Sequence, residues 1–162
     1  MKTSAKLFFP LLVTISLAWL TTGCASIQPG ITTQTPTVHM SELKKFYVSR
    51  DDEAGAQDEK HLKTLHAVQE ALTEHGFPAT SGLQSAMPAD TECKVIIHDK
   101  WFWDLDWYLL YLDIKFYDGR SGALLASGHD VRSAPVTRRD PDFMANELIE
   151  AIFPASTGGT KP

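Results

Sequence analysis

Two histidine-aspartate pairs, His98-Asp99 and His129-Asp130, are the residues of this 162-residue chain whose types best suit metal chemistry. Imidazole and carboxylate groups are common metal ligands. Both pairs lie near the ends of predicted strands, and Asp104 or Asp106 could complete a site with them. Their spacing matches no metal-binding motif, and solvated polar residues at strand ends are the alternative interpretation. The pairs therefore define one hypothesis, a small enzyme or a metal-binding protein.

Hydrolytic chemistry has weaker support in the sequence. Ser121 and Ser127 are possible nucleophiles, but neither lies in a signature turn with a base and an orienting acid. Asp104 and Asp106 would serve glycoside hydrolysis only at the right separation in space. The sequence gives no other sign of a substrate cleft, so we predict no catalytic residue.

The segment from Trp101 to Tyr108 concentrates three of the four tryptophans of the chain. Tryptophan combines a large apolar area with a polar N–H group, which suits interfaces. We therefore predict Trp101, Trp103 and Trp107 as partner-binding residues, and the alternative is that these rings close the end of the core. The carboxylates of this segment oppose deep insertion into lipid, which favours a partner surface over a membrane contact.

The first residues are typical of a secretory signal. Lys2 and Lys6 precede the apolar run Leu7 to Leu20, which is too short to span a bilayer. The following residues, Leu20-Thr21-Thr22-Gly23-Cys24, resemble the lipobox of bacterial lipoproteins, although an apolar residue is usual where Thr21 stands. The resemblance implies that residues 1–23 are removed and that Cys24 is acylated. An ordinary signal with a coincidental cysteine is the alternative.

In Gram-negative lipoproteins an aspartate after the acylated cysteine usually signals retention in the inner membrane. Ala25 stands there, so the resemblance implies the periplasmic face of the outer membrane, provided the source is Gram-negative. Loss of Lys2 and Lys6 from 15 basic residues leaves 13 against 20 acidic residues, a net charge of −7. Such an acidic chain is unsuited to nucleic acid. We expect no cofactor, only the acyl chains on Cys24.

The composition divides the mature chain into three parts. Residues 24–40 are rich in Ser, Thr, Gln, Pro and Gly, which predicts a flexible tether. Residues 41–153 form one domain, and residues 154–162 form a disordered tail. Cys93 falls in step with the apolar residues of a predicted strand, so we expect a buried thiol rather than a disulfide.

The apolar periodicity predicts strands, a helix, further strands and a last helix. The helices begin at Asp58 and at Asp140-Pro141 and end near Gly76 and Pro154. The predicted strands are Lys45–Ser49, Phe77–Thr80, Cys93–His98, Trp107–Tyr117 and Ala123–Val131. We predict an α+β fold, a two-layer sandwich in which a mostly antiparallel sheet of about four or five strands packs against two helices.

From Leu72 to Phe153 the chain resembles small uncharacterised bacterial lipoproteins. The shared features are Ala89-Asp90, Trp101-Phe102-Trp103-Asp104, Tyr108-Leu109, Asp118 and Gly122. The resemblance implies a lipoprotein domain but no activity. We therefore expect a non-enzymatic, membrane-anchored envelope lipoprotein that binds another envelope protein or copies of itself. The alternative is a small periplasmic enzyme or metal-binding protein that uses the two His-Asp pairs.

Overall fold

The computed structural model describes residues 30–33, 40–55, 57–132 and 139–154. Along the chain its elements are strand β1 (Gly30–Thr33), strand β2 (Phe46–Arg50), helix α1 (Glu59–Glu74), strand β3 (Ala79–Ser81), strand β4 (Cys93–Asp104), strand β5 (Asp106–Asp118), strand β6 (Leu124–Val131) and helix α2 (Pro141–Ile152). Single turns of 3₁₀-helix lie at Met40–Glu42 and Gln84–Ala86.

Within these residues, six strands form one sheet in the order β1-β6-β5-β4-β2-β3. The three pairings among β1, β6, β5 and β4 are antiparallel, whereas β2 pairs parallel with both β4 and β3. A parallel pair needs a crossover connection, and α1 supplies it between β2 and β3. The α+β sandwich predicted from the sequence is confirmed, with one strand more than expected.

Both helices pack on the same face of the sheet and contact each other. In α1, Leu65, Val68 and Leu72 are buried at helical spacing. Gly76 follows with φ 85°, the left-handed conformation that commonly ends a helix. Met144, Leu148 and Ile149 of α2 and the inward residues of the central strands complete the core.

The pairing of β4 with β5 contains a β-bulge that changes which side chains of β5 face the core. Lys100 pairs with Tyr111 and Trp101 pairs with Leu109, so the register skips Leu110. Leu109 and Leu112 are consequently both fully buried. The even residues from position 108 to 116 are all apolar and would all face the core in a regular strand. This alternation fails before Leu112, because a bulge inserts one residue.

The N-terminal side of the domain also differs from the prediction. Gly30–Thr33, expected to be part of a tether, pairs with β6 as an edge strand. Backbone hydrogen bonds to an open sheet edge stabilise a segment whose composition alone favours a flexible chain. The predicted signal at 1–23, Cys24 and the tail from 155 lie outside the described residues.

Cys93 is fully buried, as predicted, and is a free thiol. Burial is the main reason that the pKa of this thiol is raised to about 12. Among the described residues, the structure has no helix that is both long and apolar enough to cross a membrane.

Candidate functional site

The aromatic segment forms the end of a long β-hairpin. Asp104 of β4 pairs with Asp106 of β5, and Leu105 alone lies between them. Aromatic side chains favour strands and pair well across them, so the segment continues both strands rather than linking them as a loop. Leu105 adopts φ 66°, a conformation that is uncommon for residues other than glycine and is seldom adopted by a bulky side chain.

Large apolar side chains at this end of the hairpin are exposed to solvent. Trp103 and Trp107 are cross-strand partners whose ring centroids lie 5.5 Å apart, and they are 56% and 49% exposed. Phe102 is also exposed and pairs with Tyr108, and Leu105 is 90% exposed. We call Phe102, Trp103, Leu105 and Trp107 the hairpin tip. The exposed patch is typical of an interaction surface.

Trp101 has a different environment from the other two predicted tryptophans. It is partly buried and packs against the core, and its Nε1–H donates to Asp99 Oδ2 over 2.9 Å. Trp101 therefore fits the alternative interpretation, a ring that closes the end of the core, while Trp103 and Trp107 remain at the surface.

An open cleft of about 600 Å³ lies beside the hairpin, against the beginnings of both helices. Trp101 and Trp107 provide its aromatic surface, and Lys60 Nζ lies 4.6 Å from the Trp107 ring centroid, within cation-π range. The charged lining residues are Asp58, Glu59, Lys60, Lys63, Asp106 and Asp140. We call this feature the tryptophan cleft. Two tryptophan rings beside charges of both signs suit a partner segment that is itself partly apolar and partly charged.

Below the cleft lies a buried carboxylate, Asp99, whose side chain is fully enclosed. Arg50 Nε donates to Oδ1 over 2.9 Å, and Thr64 Oγ1 donates to Oδ2 over 3.0 Å. His61 Nδ1 lies 2.7 Å from Oδ2, which also accepts the Trp101 N–H. This set of partners satisfies a buried charge, and it links β2, α1 and the hairpin.

A second buried carboxylate, Asp130, lies two strands away. In the sheet register Asp99 pairs with Leu112, which pairs with Asp130. Arg132 Nε donates to Asp130 Oδ2 over 2.7 Å, and Arg132 also contacts Glu147 of α2. Both aspartates of the predicted His-Asp pairs thus belong to polar networks that link the sheet to a helix. Asp99 reaches α1 through His61 and Thr64, and Asp130 reaches α2 through Arg132 and Glu147.

The histidines of the two pairs point to the other face of the sheet. His98 and His129 are exposed, and His98 Nδ1 lies 2.8 Å from Asp51 Oδ2. Because successive residues of a strand point to opposite faces, the four side chains of the proposed metal or enzyme site do not converge. In the described ranges no group of three or more His, Cys, Asp or Glu side chains is placed to hold a metal ion.

The possible serine nucleophile Ser121 has a structural role. Its backbone N–H and hydroxyl both donate to Asp118 Oδ1, over 2.6 and 2.7 Å. These bonds, led by the one from the side chain, lower the pKa of Asp118. Asp118 and Ser121 thus stabilise the turn between β5 and β6.

The sequence carries no signal that marks Arg50, His61 and Thr64 around Asp99, or Lys63 and Asp140 at the cleft. Each lies on an element distant in sequence from its partners, and none belongs to a motif. Only the strand and helix pairing brings them together.

No protein-family model matches the chain, and no curated protein matches it. It is similar to solved structures of the PelC dodecamer from Paraburkholderia phytofirmans and of a PelC variant. In both comparisons the TM-score is 0.50 and the identity 11%; 78% of this chain matches 95% and 96% of those chains. A PDZ domain protein from Parabacteroides distasonis matches with TM-score 0.50 and 12% identity, over 82% of this chain and 36% of that chain. Similarity at this identity shows the fold alone.

Proposed function

We propose that this chain is a lipid-anchored envelope lipoprotein that binds a protein partner or a second copy of itself through the tryptophan cleft, without catalysis. The observation that carries the proposal is the cleft itself, where Trp101 and Trp107 lie beside charged residues at the starts of α1 and α2. Tryptophan is enriched among the residues that dominate binding energy at protein interfaces.

The proposed anchor rests on Cys24 within Leu20-Thr21-Thr22-Gly23-Cys24, and the proposed location is the periplasmic face of the outer membrane of a Gram-negative cell. Two or more acyl chains give a stable anchor where one gives only marginal binding. The anchor confines the domain near its partner, so a modest affinity at the cleft suffices for binding.

The charged rim suggests how a partner is selected. Lys63 Nζ lies 3.6 Å from Asp140 Oδ1, and both side chains are more than half exposed. This pair is weak in solvent, so it can open to receive charges of both signs from a partner. Complementary charges of this kind contribute specificity and association rate more than affinity.

Site-specific photo-crosslinking in intact cells tests the proposal. A photoreactive residue in place of Lys63, at the cleft, should give a defined adduct with an envelope protein or with a second copy, and Trp107→Ala in the same chain should abolish it. Glu150, exposed near the far end of α2, is the matched control position and should give no such adduct. Identical adducts at both positions, or none at Lys63, would contradict the proposal.

A further inference from the structure

The direction of β1 places the proposed anchor at the same end of the domain as the hairpin tip. β1 and β5 are both antiparallel to β6, so they run in the same direction. β5 begins at the hairpin tip, and therefore β1 also begins at its tip-facing end. In register, Gly30 pairs with His129, which pairs with Asp113 of β5. Gly30, the first described residue, thus lies at the end of β1 that faces the side from which the hairpin projects.

Two lengths then determine what the hairpin can reach. Asp106 is seven residues from Asp113, and at about 3.3 Å per residue the hairpin extends roughly 23 Å beyond the level of Gly30. Cys24 is six residues from Gly30, and even a fully extended chain of that length spans at most about 22 Å, no more than the hairpin. A membrane that holds Cys24 therefore lies within the reach of the hairpin tip.

The composition and backbone of the hairpin tip suit a lipid surface. Tryptophan is enriched at membrane interfaces, where its ring is apolar and its N–H remains hydrated. Leu105, at the turn, is 90% exposed and keeps φ 66°, although bulky residues adopt this conformation only at a cost in free energy. Leu105 is therefore held at the turn of the hairpin, where its side chain is available for an apolar contact.

The carboxylates of the hairpin limit the depth of this contact but do not prevent it. Asp106 Oδ1 accepts the backbone N–H of Trp107 over 2.7 Å, so this carboxylate is turned back to the strand. Charged groups stay at the level of the lipid head groups because their desolvation is costly. The expected contact is shallow.

We infer that the hairpin tip docks on the lipid surface of the membrane that holds the acylated Cys24, which presents the tryptophan cleft directly above that surface. The inference rests on the lipid anchor of the proposed function. In this arrangement the exposed end of the hairpin contacts lipid, and the side of Trp107 that lines the cleft contacts the partner.

Tryptophan fluorescence offers a direct test, since Trp19 belongs to the proposed signal and all other tryptophans of the chain lie in the hairpin. Full-length protein extracted from membranes is reconstituted into phosphatidylethanolamine and phosphatidylglycerol vesicles with acyl chains brominated near the head group. We expect strong quenching by these lipids. Leu105→Asp should reduce the quenching by roughly half or more, because a carboxylate is costly to bring into lipid.

Gln84→Asp, an equal charge change at an exposed residue that follows the edge strand β3 and lies outside the hairpin, is the matched control and should leave quenching unchanged. Mass spectrometry of the same sample reports whether Cys24 is acylated. An acylated, vesicle-bound protein whose tryptophans are not quenched would overturn the docking while the anchor stands. A chain without acyl groups would overturn both.

Discussion

Trp101 and Asp99 are joined by a hydrogen bond of 2.9 Å from the indole Nε1–H to Oδ2, and this bond connects the exposed hairpin to the buried polar network of the core. Asp99 binds Arg50 of β2 and Thr64 of α1 as well. The base of the hairpin is therefore held by the core, while its tip extends into solvent. Substitutions at the base of the hairpin should therefore lower the free energy of unfolding more than substitutions at its tip.

Asp99→Ala should reduce the free energy of unfolding by about 3–5 kcal/mol, because it leaves the buried Arg50 guanidinium without its carboxylate. Urea unfolding followed by circular dichroism measures the loss. Glu150→Gln changes an exposed carboxylate of α2 and should alter stability by less than about 0.5 kcal/mol. Similar small losses in both variants would mean that the Asp99 network does not stabilise the fold.

Trp101→Phe keeps an aromatic ring but removes the N–H that Asp99 accepts. A hydrogen bond to a charged group contributes about 1.5–3 kcal/mol, so we expect a destabilisation of that order in urea unfolding. The same change at Trp103, which is 56% exposed, should cost less than about 0.5 kcal/mol. Equal costs at the two positions would argue against the distinction between a core ring and a surface ring.

The raised pKa of Cys93 predicts a pH dependence of stability on the alkaline side. An unfolded thiol ionises near pH 8.5, whereas the buried thiol keeps its proton up to about pH 12. Between these values the folded state binds more protons, so stability falls as pH rises. Cys93→Ala should flatten this slope in urea unfolding at several pH values above 8.5.

The same thiol should resist iodoacetamide in the folded protein at pH 8 and react after unfolding, because the thiolate is the reactive form. Mass spectrometry counts the modified chains. Fast labelling of the native protein would show that Cys93 is more accessible than its burial indicates.

Gly119 and Gly122 lie in the same turn but are required for different reasons. A Cβ at Gly119 would lie 2.1 Å from the backbone oxygen of Thr91, whereas at Gly122 nothing lies within 4 Å, but φ is 72°. Alanine at either position should destabilise the fold by about 1–3 kcal/mol, through a steric clash at Gly119 and through backbone strain at Gly122.

Asparagine separates the two causes, because it tolerates the left-handed conformation. Gly122→Asn should recover much of the stability that Gly122→Ala loses, measured as the midpoint of thermal unfolding. Gly119→Asn should recover none. Recovery at both positions would show that backbone conformation, rather than the contact with Thr91, requires Gly119.

The sequence predicted the helices and most strands because their signals are local. Asp58 and Asp140 precede α1 and α2 as predicted, and apolar periodicity located both buried faces. The strand at Gly30–Thr33 was missed because it depends on a partner almost a hundred residues away. The sequence also did not predict which side chains of β5 face the core on both sides of the bulge. The bulge at Leu110 depends on the pairing of β5 with β4, and periodicity within one strand carries no information about pairing.

The candidate site was predicted only in part. The density of tryptophan indicated the hairpin, but its sequence did not separate Trp101, bonded to Asp99, from the exposed Trp103 and Trp107. The His-Asp pairs suggested convergence on one point, whereas adjacent strand residues project to opposite faces of the sheet. A sequence shows the chemical type of each side chain. The direction in which a side chain projects can be stated only when the pairing register of the strands is known.

The outer strands of the sheet are short: β1 has four residues and β3 has three. Few unpaired backbone groups are therefore offered along the outer sides of β1 and β3, where a neighbouring chain finds little template for adding a strand of its own. On the proposed lipid anchor, where copies would be crowded into two dimensions, the short outer strands would limit aggregation along these two edges. The projecting hairpin differs, because β2 pairs with β4 only as far as Ile97 and β6 pairs with β5 only from Tyr111. An added strand would therefore find its template along the flanks of the hairpin.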